Sequence, residues 1–274
     1  MSYNLEYQED DPETMAASTF SVQQNARVYA TSLLTILQGL LPPPPRVLTL
    51  PELSWNFDTF IDSQSGIIFD NFGVTNIING KAVIDKGFAF LYASVPLAQV
   101  SKFSKSIIIN FKPLRPNDSV NFLLKMSHAG SPQRRDGLMM RVVDGHIDFQ
   151  LHGPKTPSPD FFTNTLHSIY EPITGFPEVL LNKFCNLAVT FDHTTDIVKT
   201  YINGVLNSET YARVASASAE DVALGTDFYV TTFVPIYINR WVEGGAGLVE
   251  LDDFKFFNQA LTQEEITTYY EMSI

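Results

Sequence analysis

Two carboxylates, Glu250 and Asp252, stand two residues apart in Gly247-Leu-Val-Glu-Leu-Asp-Asp-Phe-Lys-Phe-Phe257. A strand's period of two places both on one face, and retaining cleavage of a glycosidic bond needs two carboxyl groups about 5 Å apart. Phe254 and Lys255 follow, so that face gains no further acid. Asp252 and Asp253 suit a different task, helping to hold a structural calcium, because hard cations take carboxylate and carbonyl oxygens. Hydrogen bonding of the same carboxylates to loop amides is the alternative. His128, His146, His152, His167 and His193 are scattered without metal-ligand spacing, and neither His-Glu-x-x-His nor Gly-x-Ser-x-Gly occurs. Gly244-Gly-Ala-Gly247 is too irregular for a dinucleotide loop and reads as a turn before the last strand. The expectation is a protein that is not an enzyme and has no resident cofactor.

Binding chemistry has more candidates. Sugar rings stack by their C–H faces on exposed aromatic side chains, and their hydroxyls require paired donors and acceptors. Arg240 and Trp241, with Phe161, Phe162, His167 and Tyr170, offer such groups. Core packing or subunit contact is the alternative for each, since large aromatics also anchor interfaces.

The elements that position these residues read as short strands separated by turns, the pattern of an antiparallel sandwich or jelly roll. Early strand candidates are Trp55 to Phe60, Gly66 to Phe69, Lys81 to Tyr92, Ser104 to Phe111 and Val120 to Ser127. Asn79-Gly80, Asp144-Gly145 and Asn203-Gly204 mark hairpins, because a type I′ turn needs positive φ at both central residues. A two-residue turn at Asp144-Gly145 pairs Val143 with His146 and sets the register outward. Val142 then faces Ile147, Met140 faces Phe149 and Leu138 faces Leu151, while Arg141 meets Asp148 on the polar side. Between Gly153 and Asn182 five prolines interrupt the strand pattern, which predicts a long loop carrying Phe161, Phe162, His167 and Tyr170. A second long connection is expected from Ala212 to Thr226. Strands resume at Asn186 to Phe191, and Thr262-Gln-Glu-Glu265 forms a capping box for a short C-terminal helix with Ile266, Tyr269 and Tyr270 on its apolar side.

Residues 1 to 20 carry five acidic side chains and no basic one. Val22, Ala26, Tyr29, Leu33, Ile36 and Leu40 follow at heptad spacing, with Ala26, Leu33 and Leu40 at a and Val22, Tyr29 and Ile36 at d. Leu at a with Ile at d favours a trimer or higher homo-oligomer. A lone amphipathic helix, its stripe widened by Leu34, Leu37 and Leu41, is the alternative. Pro42 to Pro45 then ends the helix and forms a stiff spacer of about 12 Å. The expected division is an anchoring and oligomerising segment, 1–45, and a sandwich domain, 46–274.

Bulk composition narrows the partners. A net charge of −12 argues against nucleic acid, whose affinity comes largely from Lys and Arg. Cys185 is the only cysteine, so no disulfide forms within the chain. The acidic start lacks the basic and apolar segments of a signal peptide, and no run of about 18 apolar residues exists, so membrane insertion is not expected.

The layout resembles the concanavalin A-like lectin and glucanase superfamily, in particular its laminin G-like jelly-roll branch. Asn186-Leu-Ala-Val-Thr-Phe-Asp192 leads into Tyr201-Ile-Asn-Gly204, and Leu251-Asp-Asp-Phe-Lys-Phe-Phe257 is followed by Ala260-Leu-Thr-Gln-Glu-Glu-Ile266. The resemblance covers roughly 52 to 274 and implies an all-β, two-sheet antiparallel jelly-roll sandwich with an N-terminal helix and a short C-terminal helix. Cys185 and Asn186 stand where the family commonly has tryptophan and histidine. The family's glucanases extend Glu-x-Asp by a further acid, absent here, so the resemblance implies that general acid catalysis has no donor; some members bind calcium. An acidic tail, helix, proline spacer and lectin-like sandwich without an export signal resemble phage and viral fibre, tail or head-decoration proteins. That resemblance implies a virion-surface adhesion protein, made in host cytoplasm, anchored to other virion proteins through 1–45 and recognising a cell-surface glycan or protein. A purely structural capsid or tail subunit, or a degenerate glycoside hydrolase, are the alternatives.

Overall fold

The protein was analysed as a computed structural model that describes residues 23–24, 26–30, 48–72, 75–85, 89–96, 104–115, 120–127, 137–152, 165–180, 183–214, 233–241, 244–245 and 248–273. The chain divides into two units, Met1–Leu48 and Thr49–Ile274. Within the first, residues 23–24 and 26–30 are helical and exposed, including Ala26 and Tyr29. Val22, Leu33, Ile36, Leu40 and the polyproline segment lie outside the described residues. No helix among the described residues is long and apolar enough to cross a membrane.

The second unit is built from strands β1 (Leu53–Trp55), β2 (Asp70–Phe72), β3 (Thr75–Ile78), β4 (Lys81–Ile84), β5 (Phe90–Pro96), β6 (Lys105–Pro113), β7 (Val120–Ser127), β8 (Gly137–Val143), β9 (His146–His152), β10 (Thr165–Pro172), β11 (Cys185–Asp192), β12 (Ile197–Ile202), β13 (Val205–Tyr211), β14 (Phe233–Ile238), β15 (Arg240–Trp241), β16 (Gly244–Gly245) and β17 (Val249–Phe257). One sheet has eight strands, in the order β13-β12-β11-β6-β17-β4-β3 with β1 also on β17; the other has seven, β10-β9-β8-β7-β14-β5-β2. Every ladder is antiparallel. Alternation supplies the reason for two layers. In β5, Leu91, Ala93 and Val95 are buried between Tyr92 and Ser94, which point the other way. The two apolar faces meet around Trp55, Phe111, Phe149, Phe191, Phe254 and Phe256, all wholly buried or nearly so. Trp55 stacks on Phe254 at 5.6 Å and its indole N–H donates to the Ile67 carbonyl at 3.2 Å, so the one polar atom of this core ring is satisfied.

Turn chemistry sets the hairpins. Asn79, Asp144 and Asn203 have φ of 52°, 47° and 50°, and each is followed by a glycine with positive φ. The β8–β9 register is the one the Asp144-Gly145 turn implies, with Val142↔Ile147, Met140↔Phe149, Leu138↔Leu151 and Arg141↔Asp148. At Gly204 a Cβ would meet the Tyr270 ring at 2.9 Å, so glycine there serves both the turn and the close approach of the C-terminal helix, α1 (Gln263–Glu271). That helix begins with the expected capping box, Thr262 with Glu265, and buries Ile266 and Tyr269. Gln263 and Thr267 donate to the Gly204 carbonyl, which ties the helix to the β12–β13 turn.

Four expectations change. The predicted loop from Gly153 to Asn182 contains β10, a strand on the edge of the seven-stranded sheet. The prolines at its margins hid it: within Thr165–Pro172 only the final residue is proline, where a strand tolerates one. Lys81 to Tyr92 is two strands in different sheets, β4 and β5. Trp55 to Phe60 stops being a strand at Trp55, where Phe57 turns the chain with φ 55°. Gly66 to Phe69 forms no named strand and contributes one bridge, Ile68 to Ile61.

Candidate functional site

Two outer faces remain after the core is assigned, one per sheet. On the seven-stranded sheet, pairing aligns one outward residue from every strand in a single row: Asp70, Tyr92, Tyr237, Lys125, Met139, Gln150 and Ser168. Six inter-strand steps of about 4.8 Å make this row roughly 29 Å long. Two residues along, Phe72 pairs with Phe90 at one end, and Arg141, Asp148 and Tyr170 pair in line at the other.

At the β2 end the aromatics form a connected cluster. Phe72 stacks on Phe90 with centroids 4.8 Å apart and planes 7° from parallel, and Tyr92 lies 5.2 Å from Tyr237. Phe72 is 46% exposed, whereas Tyr237 in the middle of the face is buried. At the β10 end Tyr170, 53% exposed, stacks on His146 at 4.2 Å and 7°. The His146 Nδ1–H donates to the Asp144 carbonyl at 2.8 Å, which fixes the ring beneath Tyr170. Beside the pair, Asp148 accepts from Arg141 Nε at 2.6 Å and from Gln150 Nε2 at 2.9 Å. An exposed ring held rigid by stacking, next to a satisfied array of planar polar groups, can take the C–H face of a sugar and its hydroxyls.

The eight-stranded sheet's outer face is built differently. Glu250 pairs with Lys112 at 2.8 Å, Asp252 with Lys81 at 2.9 Å, and Asp253 with Lys255. Asn110 also donates to Asp252 at 3.2 Å. Each carboxylate that the sequence offered for acid–base work or for calcium therefore faces an ammonium. Burial lowers the Lys255 pKa to about 8, with Asp252 opposing that shift. Beside α1 a cleft of about 290 Å³ is lined by Thr190, Asp192, Lys199, Tyr201, Leu261 and Gln263.

The structure distributes the sequence's binding candidates. Tyr170 lies on the aromatic and polar face. His167, three residues earlier on the same strand, points inward and is wholly buried, so it is no surface platform. Arg240 and Trp241 form β15, paired with Gly245 and Gly244 in a separate two-stranded ladder, so this glycine stretch is partly strand rather than only a turn. Phe161 and Phe162 lie outside the described residues. Sequence reasoning missed Phe72, Phe90, Tyr92 and Tyr237 as a set, because strands far apart in the chain bring them together. The available signal was the alternation Phe90-Leu-Tyr-Ala-Ser-Val95, which separates an outward aromatic pair from an inward apolar set. It also missed a cluster of His167, His193 and Asp196, whose ligating atoms lie within 4.8 Å of one another although their sequence spacing matches no metal motif.

Residues 119–267 match the laminin G-like family of the concanavalin A-like lectin/glucanases superfamily. Among solved structures, the chain is similar to the binding domain of botulinum neurotoxin DC in complex with SialylT, at 12% identity and TM-score 0.59, covering 82% of this chain and 52% of that one. The same toxin's binding domain in complex with rat synaptotagmin II matches at 13% identity and TM-score 0.57, with 82% and 52% covered. Botulinum neurotoxin type C, whose cell entry depends on interaction with two ganglioside molecules, matches at 14% and 0.56, with 81% and 51% covered. At these identities the likeness is one of fold, and the chain spans about half the length of the structures it matches. No curated protein matches the sequence.

Proposed function

Because the chain belongs to the concanavalin A-like lectin/glucanases superfamily, we propose that it is a non-enzymatic recognition protein that binds a glycan on the outer face of its seven-stranded sheet. The observation that carries this reading is the exposed Tyr170 stacked on His146 beside the Arg141–Asp148–Gln150 array. The pairing of Glu250, Asp252 and Asp253 with lysines supports the absence of hydrolysis, since it engages these carboxylates in ion pairs within the sheet face. Structural neighbours that bind SialylT or depend on gangliosides make a glycan the first ligand class to try. The acidic N-terminal segment, heptads and polyproline spacer support the finer proposal of a virion-surface adhesin, anchored and oligomerised through residues 1–45.

A glycan array probed with the full chain tests the reading. Binding should appear on a defined subset of glycans and fall at least tenfold in Tyr170→Ala; an array without signal overturns it. A second reading, a structural subunit that binds its neighbours, draws on edge strand β13, where Val205, Leu206 and Tyr211 are exposed on the last strand of the eight-stranded sheet. A mass measurement of the full chain against Leu206→Lys separates the two, because only the subunit reading expects the charge to dissociate an assembly.

A further inference from the structure

Strand β10, the edge of the seven-stranded sheet, meets the β11–β12 turn of the other sheet through a short path of backbone bonds. His167 bridges to Arg213. The Ser168 N–H donates to the Ala212 carbonyl at 2.8 Å, and the Ala212 N–H donates to the Asp196 carbonyl at 2.9 Å. On the turn itself, the His193 N–H donates to Ser104 Oγ at 3.1 Å. These contacts hold His167, His193 and Asp196 side by side, with His167 Nδ1 3.7 Å from Asp196 Oδ1. Ligand atoms about 2.0–2.1 Å from a tetrahedral zinc stand roughly 3.3 Å apart, so the pair needs to close by only a few tenths of an ångström.

Two further observations distinguish the cluster from an ordinary polar contact. His167 is wholly buried, yet neither of its ring nitrogens has a hydrogen-bond partner among the described residues. Leaving a buried donor and acceptor unpaired is destabilising, and a metal bond at one nitrogen removes half of that penalty. The Asp196 carboxylate is divided between two roles. Its Oδ1 faces His167 and has no hydrogen-bond partner among the described residues, while its Oδ2 lies 3.9 Å from the Arg213 guanidinium. An outer partner of that kind orients a ligating carboxylate.

We propose that His167, His193 and Asp196 form a binding site for a zinc-class divalent ion that clamps the edge of one sheet to a turn of the other. Two imidazoles with one carboxylate suit zinc or cobalt, whereas calcium takes a set made of oxygens. Three protein ligands leave the fourth tetrahedral position for water or an added group.

The test uses the untagged full chain, treated with EDTA and dialysed, then titrated with Co²⁺ and Zn²⁺. One equivalent of Co²⁺ should bind with the visible absorption of a tetrahedral site, zinc should displace it, and zinc but not Ca²⁺ should raise the thermal unfolding midpoint. Asp196→Asn suits the site because Asn tolerates the φ of 55° found there. It and His193→Gln should each weaken zinc binding at least tenfold, while His146→Gln, on the outer face, leaves it unchanged. Should His193→Gln fail to fold, Asp196→Asn decides. The proposal is overturned if no stoichiometric metal binds, or if a folded Asp196→Asn chain binds zinc as tightly as the parent.

Discussion

The two outer faces of the sandwich are made from the same alternating strands and serve opposite ends. On the eight-stranded face, α1 covers Phe257 and the Gly204 turn, and lysines pair with the carboxylates of β17. The seven-stranded face presents Phe72 and Tyr170 to solvent at its two edges, each held by a stacked neighbour. Side chains on the first face should therefore govern stability, and those at the edges of the second should govern binding.

The largest expected effect comes from the eight-stranded sheet and depends on pH. Burial lowers the Lys105 pKa from 10.5 to about 7, with the ammonium 5.2 Å from the Phe256 ring. Above about pH 7 the native state has lost a proton that the unfolded chain keeps up to 10.5, so stability rises with pH through that window. The upper bound on the rise is on the order of 5 kcal/mol at about 1.4 kcal/mol per pKa unit. Urea unfolding at pH 6.5 and pH 9.5 should show the rise, and Lys105→Met should flatten it. Ile266→Ala in α1 comes next, at roughly 3 kcal/mol for a buried side chain removed, read in the same urea experiment with ligand affinity unchanged. On the other face, Phe72→Ala and Tyr170→Ala should each reduce glycan affinity about tenfold, or about 1.4 kcal/mol, while moving the urea midpoint little. The smallest effect belongs to Thr262→Ala, which removes the capping box for about 1 kcal/mol, seen as a small drop in thermal midpoint. If Ile266→Ala abolished binding in a folded chain, or Tyr170→Ala unfolded the domain, the division between the faces would fail.

Local chemistry could be read from the sequence. Asn79-Gly80, Asp144-Gly145 and Asn203-Gly204 name their turns because positive φ is a property of two adjacent residues, and one such turn sets the whole β8–β9 ladder. The α1 cap is equally local. The candidate site was not readable, because its members come from strands distant in the chain: Asp70 meets Tyr92, Tyr92 meets Tyr237, and Tyr237 meets Lys125 only after the sheet closes. Tyr170 was found for its residue type but placed on a loop. His167 was found with it, and the period of two that puts Tyr170 outward puts His167 inward, towards Asp196. Only a strand assignment for Thr165–Pro172 would have separated them.

The most direct measurement compares binding isotherms for one array-selected glycan across the parent chain, Tyr170→Ala and Glu250→Gln. The account predicts at least a tenfold loss for Tyr170→Ala and none for Glu250→Gln. Unchanged affinity in Tyr170→Ala, or a loss confined to Glu250→Gln, would contradict it.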